Sequence, residues 1–113
     1  MSGRIVMAAS RVQVPAEVRR GDSIEVKISI RHPMETGFRV DDSGRRIARN
    51  TIREFTCRYN GKPVLVARLG SGIAANPYLR FFLTATESGQ LSFEWVDEAG
   101  ERGDALASLT VVG

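Results

Sequence analysis

The feature that most constrains the fold of this 113-residue chain is an eight-residue segment, Ser23–Ile30, in which polar and apolar residues alternate strictly. Its four apolar residues, Ile24, Val26, Ile28 and Ile30, would all point to one face of an extended strand. The pattern therefore predicts a β-strand that is buried on one side only. A single sheet would leave its apolar face in water, so a second sheet must pack against it.

Other short segments resemble strands and are separated by turn-forming residues. They cover residues 4–14, 55–59, 64–69, 78–84, 90–97 and 105–112. Asn60-Gly61 is the strongest hairpin signal, because both central residues of a type I′ turn require positive φ. A polar insert, residues 38–50, is expected to form a protruding hairpin with its tip at Asp41-Asp42-Ser43-Gly44.

These patterns predict an all-β fold, because about seven short strands at regular spacing, with no helical period, are typical of an immunoglobulin-like antiparallel β-sandwich. The length of the chain predicts a single domain over residues 1–113. The expected core consists of Ile24, Val26, Ile28, Phe55, Cys57, Leu91, Phe93 and Trp95.

Composition excludes several classes of function. A net charge of +3 is mildly basic, but the arginine-rich stretch 39–53 contains no aromatic residue, so we expect no nucleic-acid partner. One cysteine and one histidine argue against a disulfide or a multi-ligand metal centre, and we expect no cofactor. No apolar run reaches ~18 residues, so we expect no membrane span. No signal peptide is recognisable either.

Two proline-containing corners interrupt the predicted strands. The first carries His32, Pro33, Met34 and Glu35, and Pro33 biases the residue before it towards an extended backbone. His32 either bonds to the backbone of its loop or forms an acid–base pair with Glu35. Met34 either folds onto the domain or offers an adaptable contact to a partner.

The second corner carries Asn76, Pro77 and Tyr78. Tyr78 either packs into the end of the sandwich, which we favour, or anchors a partner, as exposed aromatic residues commonly do. Cys57 shares a strand face with Phe55 and Tyr59. We therefore interpret it as a small buried core residue and not as a nucleophile, because a reactive thiolate requires exposure and nearby positive charge.

The chain resembles the SoxZ family of bacterial thiosulfate oxidation from about Arg11 to its C-terminus. The resemblance rests on blocks that occur in the family's order: His32-Pro33-Met34-Glu35-Thr36-Gly37, Arg49-Asn50, Phe55-Thr56-Cys57, Asn60-Gly61-Lys62-Pro63, Ala75-Asn76-Pro77-Tyr78, Phe81-Phe82 and Ala85-Thr86-Glu87-Ser88-Gly89.

The resemblance implies a non-catalytic subunit that forms a heterodimer with SoxY. In that family, SoxY carries sulfur intermediates on a cysteine in a flexible C-terminal arm and presents them in turn to SoxAX, SoxB and SoxCD. It also implies a periplasmic location, reached by export together with SoxY. We predict that the partner-facing residues are those of the two corners: His32, Pro33, Met34, Glu35, Asn76, Pro77 and Tyr78.

Two alternatives remain at this stage. One is a generic immunoglobulin-like binding module, which would show no affinity for SoxY. The other is a sulfur-transfer protein that depends on Cys57, whose thiol would then react rapidly at neutral pH.

Overall fold

The computed structural model describes residues 10–70 and 72–113, and this part of the chain forms eight β-strands in two sheets. The strands are β1 (Ser10–Gln13), β2 (Glu17–Arg19), β3 (Ser23–Ile30), β4 (Ile52–Tyr59), β5 (Lys62–Arg68), β6 (Tyr78–Thr84), β7 (Gly89–Asp97) and β8 (Arg102–Val112). One sheet has the order β1-β3-β6 and the other β2-β8-β7-β4-β5. The described residues include no helix that could cross a membrane.

The predicted all-β sandwich is confirmed, with one correction to its topology. β3 and β6 have the predicted bounds at both ends, and the first predicted strand is observed from Ser10 onwards; the residues before it lie outside the described part. β2 was not predicted, and it pairs in parallel with β8. Three residues are too few for an alternating pattern to show, which is why the sequence predicted an antiparallel fold throughout.

All eight predicted core residues are buried between the sheets. Phe55 and Trp95 lie on neighbouring strands, with nearly parallel rings and centroids 6.5 Å apart. Gly103 lies opposite Trp95 on β8, and a Cβ at that position would fall 2.4 Å from the indole ring. Each large apolar side chain buried in this way contributes about 1.5–3 kcal/mol to stability.

The Asn60-Gly61 turn forms as predicted, with φ values of 49° and 85°. Its asparagine also fastens the next loop, because Asn60 Oδ1 accepts a hydrogen bond from the Gln90 amide at 2.8 Å and Nδ2 donates to the Ser88 carbonyl at 3.1 Å. A Cβ on Gly89 would lie only 1.7 Å from Asn60 Oδ1. This link therefore requires glycine at position 89.

The polar insert forms the predicted hairpin at the end of the sandwich. Its two arms meet at an isolated bridge between Val40 and Arg46, and at its base Asn50 forms a second bridge with Glu35, which precedes the insert. At the tip, Asp41 Oδ1 accepts the Ser43 and Arg45 amides, each at 2.9 Å. The hairpin is thus held by its own polar groups.

Candidate partner-binding end of the sandwich

The two predicted corners lie together in the structure. The Asn76 amide donates to the His32 carbonyl at 2.7 Å, and the His32 amide donates to Asn76 Oδ1 at 3.0 Å. Asn76 adopts φ +53°, a left-handed conformation that asparagine tolerates better than most residues. Residues 32–35 and 76–78 thus form one continuous patch, which we call the corner surface.

His32 is a buried member of the corner surface, with 8% of its area exposed. Its Nδ1 accepts the Met34 amide at 2.9 Å, so in the neutral ring the proton lies on Nε2. Nε2 then donates to Asp97 Oδ2 at 3.0 Å. Of the two interpretations of His32, the hydrogen bond to the backbone of its own loop is confirmed. The alternative pair with Glu35 is wrong, because the Glu35 carboxylate binds the Arg39 guanidinium at 2.7 and 3.0 Å.

Asp97 is the residue of this end that the sequence analysis missed. Its Oδ2 also accepts Asn50 Nδ2 at 3.2 Å, and its Oδ1 accepts the Glu101 amide at 2.9 Å. Burial by itself raises the pKa of Asp97, but the hydrogen bonds from His32, Glu101 and Asn50 outweigh that effect and lower it. The sequence did contain a signal for Asp97. Its position in the alternating strand places it on the buried face of Leu91, Phe93 and Trp95, and a buried carboxylate requires hydrogen-bond partners.

Met34 belongs to the core, and only 4% of its area is exposed. It adopts φ +50°, and its Sδ accepts the Ile52 amide at 3.4 Å. Of the two interpretations of Met34, the one in which it folds onto the domain is confirmed. Because its side chain is anchored in the core, Met34 holds the backbone of the adjacent residues Pro33 and Glu35 in place.

The exposed part of the corner surface is smaller than the predicted set. His32, Met34 and Pro77 are buried, Glu35 is half-buried, and Pro33, Asn76 and Tyr78 are exposed. Tyr78 is 57% exposed on the outer face of β6, so its favoured assignment to the core was wrong. A shallow hollow of about 360 Å³ opens beside the corner, lined by Pro33, Met34, Glu35, Thr36, Arg39 and Ala75.

Cys57 lies in the centre of the core and has no exposed surface. Phe93 and Leu65 are its neighbours on the adjacent strands. Burial raises the pKa of the thiol to about 11, so only a very small fraction of it is the nucleophilic thiolate at neutral pH. The predicted structural role of Cys57 is confirmed. Among residues 10–70 and 72–113, no group of three or more His, Cys, Asp or Glu side chains is placed to hold a metal ion.

Solved structures similar to this chain include a superoxide reductase (neelaredoxin) variant from Ignicoccus hospitalis, with a TM-score of 0.74 and 19% identity over 99% of this chain and 89% of that one. The sulfur carrier protein SoxY from Chlorobium limicola f thiosulfatophilum matches with a TM-score of 0.64 and 10% identity, over 93% and 80% of the two chains. A superoxide reductase variant from Archaeoglobus fulgidus matches at 0.59 and 20%, over 90% and 89%. At these identities the likeness shows the fold alone.

Sequence comparison gives a more specific result. No match was found among curated proteins. The family model of the sulphur oxidation protein SoxZ, however, matches residues 12–108, which include every strand from β2 to β7, both corners and the insert. This chain therefore belongs to the SoxZ family of sulphur oxidation proteins.

Proposed function

We propose that this chain is a non-catalytic scaffold that pairs with SoxY in a heterodimer, while SoxY carries the sulfur intermediate. The observation that carries the proposal is the family match over residues 12–108. The burial of Cys57 supports it, because a thiol with a pKa near 11 and no exposed surface is unsuited to accepting sulfur. The same burial argues against a sulfur-transfer protein that depends on Cys57.

The corner surface is the proposed contact with SoxY or with the enzymes that SoxY visits. Its backbone is held by the mutual bonds of His32 and Asn76 and by the buried His32–Asp97 pair. A surface that is already rigid loses little conformational entropy when it is bound. Pro33 and Tyr78 provide apolar area next to the polar Asn76, a combination common at interface anchors.

The family match is also the basis for a proposal about the wider setting. We propose that the heterodimer acts in the periplasm after export together with SoxY, and that it makes transient contacts with SoxAX, SoxB and SoxCD. Such contacts are expected to be small and short-lived, because each enzyme must release the carrier after its step.

Co-expression with SoxY tests this function. The expected result is a one-to-one complex. In a reconstituted system, the complex that contains the Cys57→Ala variant should oxidise thiosulfate as fast as the wild-type complex. The matched control is the same reaction with SoxY lacking its carrier cysteine, which should be inactive. If the chain does not bind SoxY, or if Cys57→Ala abolishes sulfur transfer while the protein stays folded, the proposal is wrong.

A further inference from the structure

Strand β6 is an edge of the three-stranded sheet, and two backbone hydrogen bonds show which of its residues bond to β3 and which face outwards. The Ile30 amide donates to the Pro77 carbonyl at 2.9 Å, and the Ala85 amide donates to the Asp22 carbonyl at 2.8 Å. Along an antiparallel ladder, residue pairs that exchange hydrogen bonds alternate with pairs that do not. Pro77 and Ala85 belong to hydrogen-bonded pairs, so the odd-numbered residues of β6 bond to β3. The backbone amides and carbonyls of the even-numbered residues, 78, 80, 82 and 84, point away from the sheet. No strand of the described residues pairs on that side.

Both faces of β6 also leave apolar surface uncovered. On the outer face, Tyr78 and Phe82 are each 57% exposed. On the inner face, Leu79, Phe81 and Leu83 are only half-buried, although the inward residues of the neighbouring β3 are 0–2% exposed. The sandwich is therefore open along this edge, and a strand added there would cover both sets of side chains.

Of the other strands at the ends of the two sheets, β5 is protected and β1 and β2 are short; β8, inside the five-stranded sheet, is also unpaired on its β2 side before Thr110 in the described residues. β5 begins with Lys62 and Pro63 and carries a bulge where it pairs with β4, and these features block the addition of another strand. β1 has four described residues and β2 has three. β6 has seven residues with no lysine, proline, acidic residue or register shift. Among the four strands at the ends of the two sheets in the described residues, it is the long and regular one.

We propose that β6 is the edge at which a strand of SoxY adds to this sandwich, so that the three-stranded sheet continues into the partner. This inference rests on the proposed function and names where that partner sits. Tyr78 belongs both to the corner surface and to β6, so the corner and the edge form one continuous surface. The SoxY structure from Chlorobium limicola shares this strand architecture, and a sandwich of that kind has strand edges to offer.

Charge favours a foreign strand over a second copy of this chain. The outer face of the three-stranded sheet carries Arg11, Lys27 and Arg80, with Glu25 as the acidic residue among them. Arg80 pairs with Glu25 and lies 5.4 Å from the centroid of the Phe82 ring. A second copy would bring the same positive residues and a net charge of +3. An acidic residue on the SoxY strand is therefore expected near Arg80.

Arg80→Pro tests the edge directly, because the amide it removes points away from β3 and proline is tolerated at such edge positions. Arg80→Thr is the first control, since it removes the same side chain and keeps the amide. Val66→Pro is the second. The bond from the Leu69 amide to the Arg53 carbonyl, at 3.3 Å, shows that the Val66 amide points away from β4, so this variant makes the same change on the protected edge.

Affinity for SoxY is measured by calorimetry, after circular dichroism and thermal melting establish that each variant folds. Arg80→Pro is expected to weaken binding by at least about tenfold, the effect of losing one or two backbone hydrogen bonds. Arg80→Thr should retain more of the affinity than Arg80→Pro, and Val66→Pro should bind like wild type.

Four results would overturn the inference. Wild-type affinity in Arg80→Pro would place SoxY elsewhere while leaving the scaffold function intact. Equal losses of SoxY affinity in Arg80→Pro and Val66→Pro would show that the effect is not specific to β6. A dimer of this chain alone, seen by analytical ultracentrifugation and dissolved by Arg80→Pro, would assign the edge to a second copy. If wild-type protein does not bind SoxY at all, the proposed function fails together with the inference.

Discussion

At the scale of single residues, the Asp97 carboxylate organises the corner surface. It receives hydrogen bonds from His32, Asn50 and the Glu101 amide, which belong to three different segments of the chain. His32 in turn orders the loop through its bond to the Met34 amide. A buried carboxylate with three donors is stabilised in its ionised form, and we expect the corner to depend on that ionisation.

Asp97→Asn keeps the shape of the side chain and removes its charge and one acceptor. We expect the variant to lose about 1–3 kcal/mol of unfolding free energy at pH 7, because buried donors lose their partner. The pKa of Asp97 is lowered in the folded protein. Its contribution to stability is therefore complete above the unfolded pKa of ~3.9 and is lost as the pH falls through the lower folded pKa.

Urea unfolding of wild type and Asp97→Asn at pH 7 and at pH 3 measures this contribution. The difference between the two proteins should shrink at pH 3, because this pH lies below the unfolded pKa of about 3.9, where the stabilisation by the ionised carboxylate has begun to be lost. A difference that is the same at both pH values would show that the ionised carboxylate does not stabilise the corner.

Cys57 gives a second prediction at this scale. Its thiol is fully buried, and burial raises its pKa to about 11. Iodoacetamide at pH 7.5 should label the native protein far more slowly than the same protein unfolded in concentrated urea. Mass spectrometry follows the label. Equal rates in the two states would mean that the thiol is accessible in the folded protein.

At the scale of elements, the strands follow from local patterns and their partners do not. Alternation over Ser23–Ile30 and positive φ at Asn60-Gly61 are local properties, and both predictions were confirmed. The partnership of His32 with Asp97 spans 65 residues and leaves no local signal. The exposure of Tyr78 was mispredicted for a related reason. The alternation of its strand separates the residues into two faces, but it does not show which of the two faces points into the core.

Gly103 shows how one strand position depends on its neighbour. A side chain there would meet the Trp95 indole at 2.4 Å, so Gly103→Ala should destabilise the protein by about 1–3 kcal/mol through overpacking. Gly72→Ala is the matched control, because no atom lies within 4 Å of the added Cβ. Urea unfolding should separate the two variants, and equal stabilities would contradict the packing of β8 against Trp95.

At the scale of the whole molecule, the corner surface and the β6 edge meet at Tyr78. Tyr78→Ala should leave stability nearly unchanged, because more than half of the residue is exposed. As an interface anchor, Tyr78 should contribute to SoxY binding, so the variant should bind SoxY more weakly by roughly tenfold or more. Leu106→Ala is the control, as Leu106 is 64% exposed on the outer face of the other sheet. Calorimetric titration with SoxY distinguishes them. Similar affinities for the two variants would exclude Tyr78 from the interface.

Met34 illustrates why the buried members of the corner surface make poor probes of binding. Met34→Ala would open a cavity in the core and is expected to cost about 2–5 kcal/mol of stability. Any loss of affinity for SoxY would then report partial unfolding and not a lost contact. The exposed residues Pro33, Asn76 and Tyr78 are therefore the informative positions.

The central claim is that this subunit supports a partner while the sulfur is carried on that partner. Intact-mass spectrometry of both subunits during thiosulfate turnover tests it most directly. The account predicts added sulfur mass on SoxY and an unchanged mass for this chain at every time point. Sulfur bound covalently to Cys57 during turnover would contradict it.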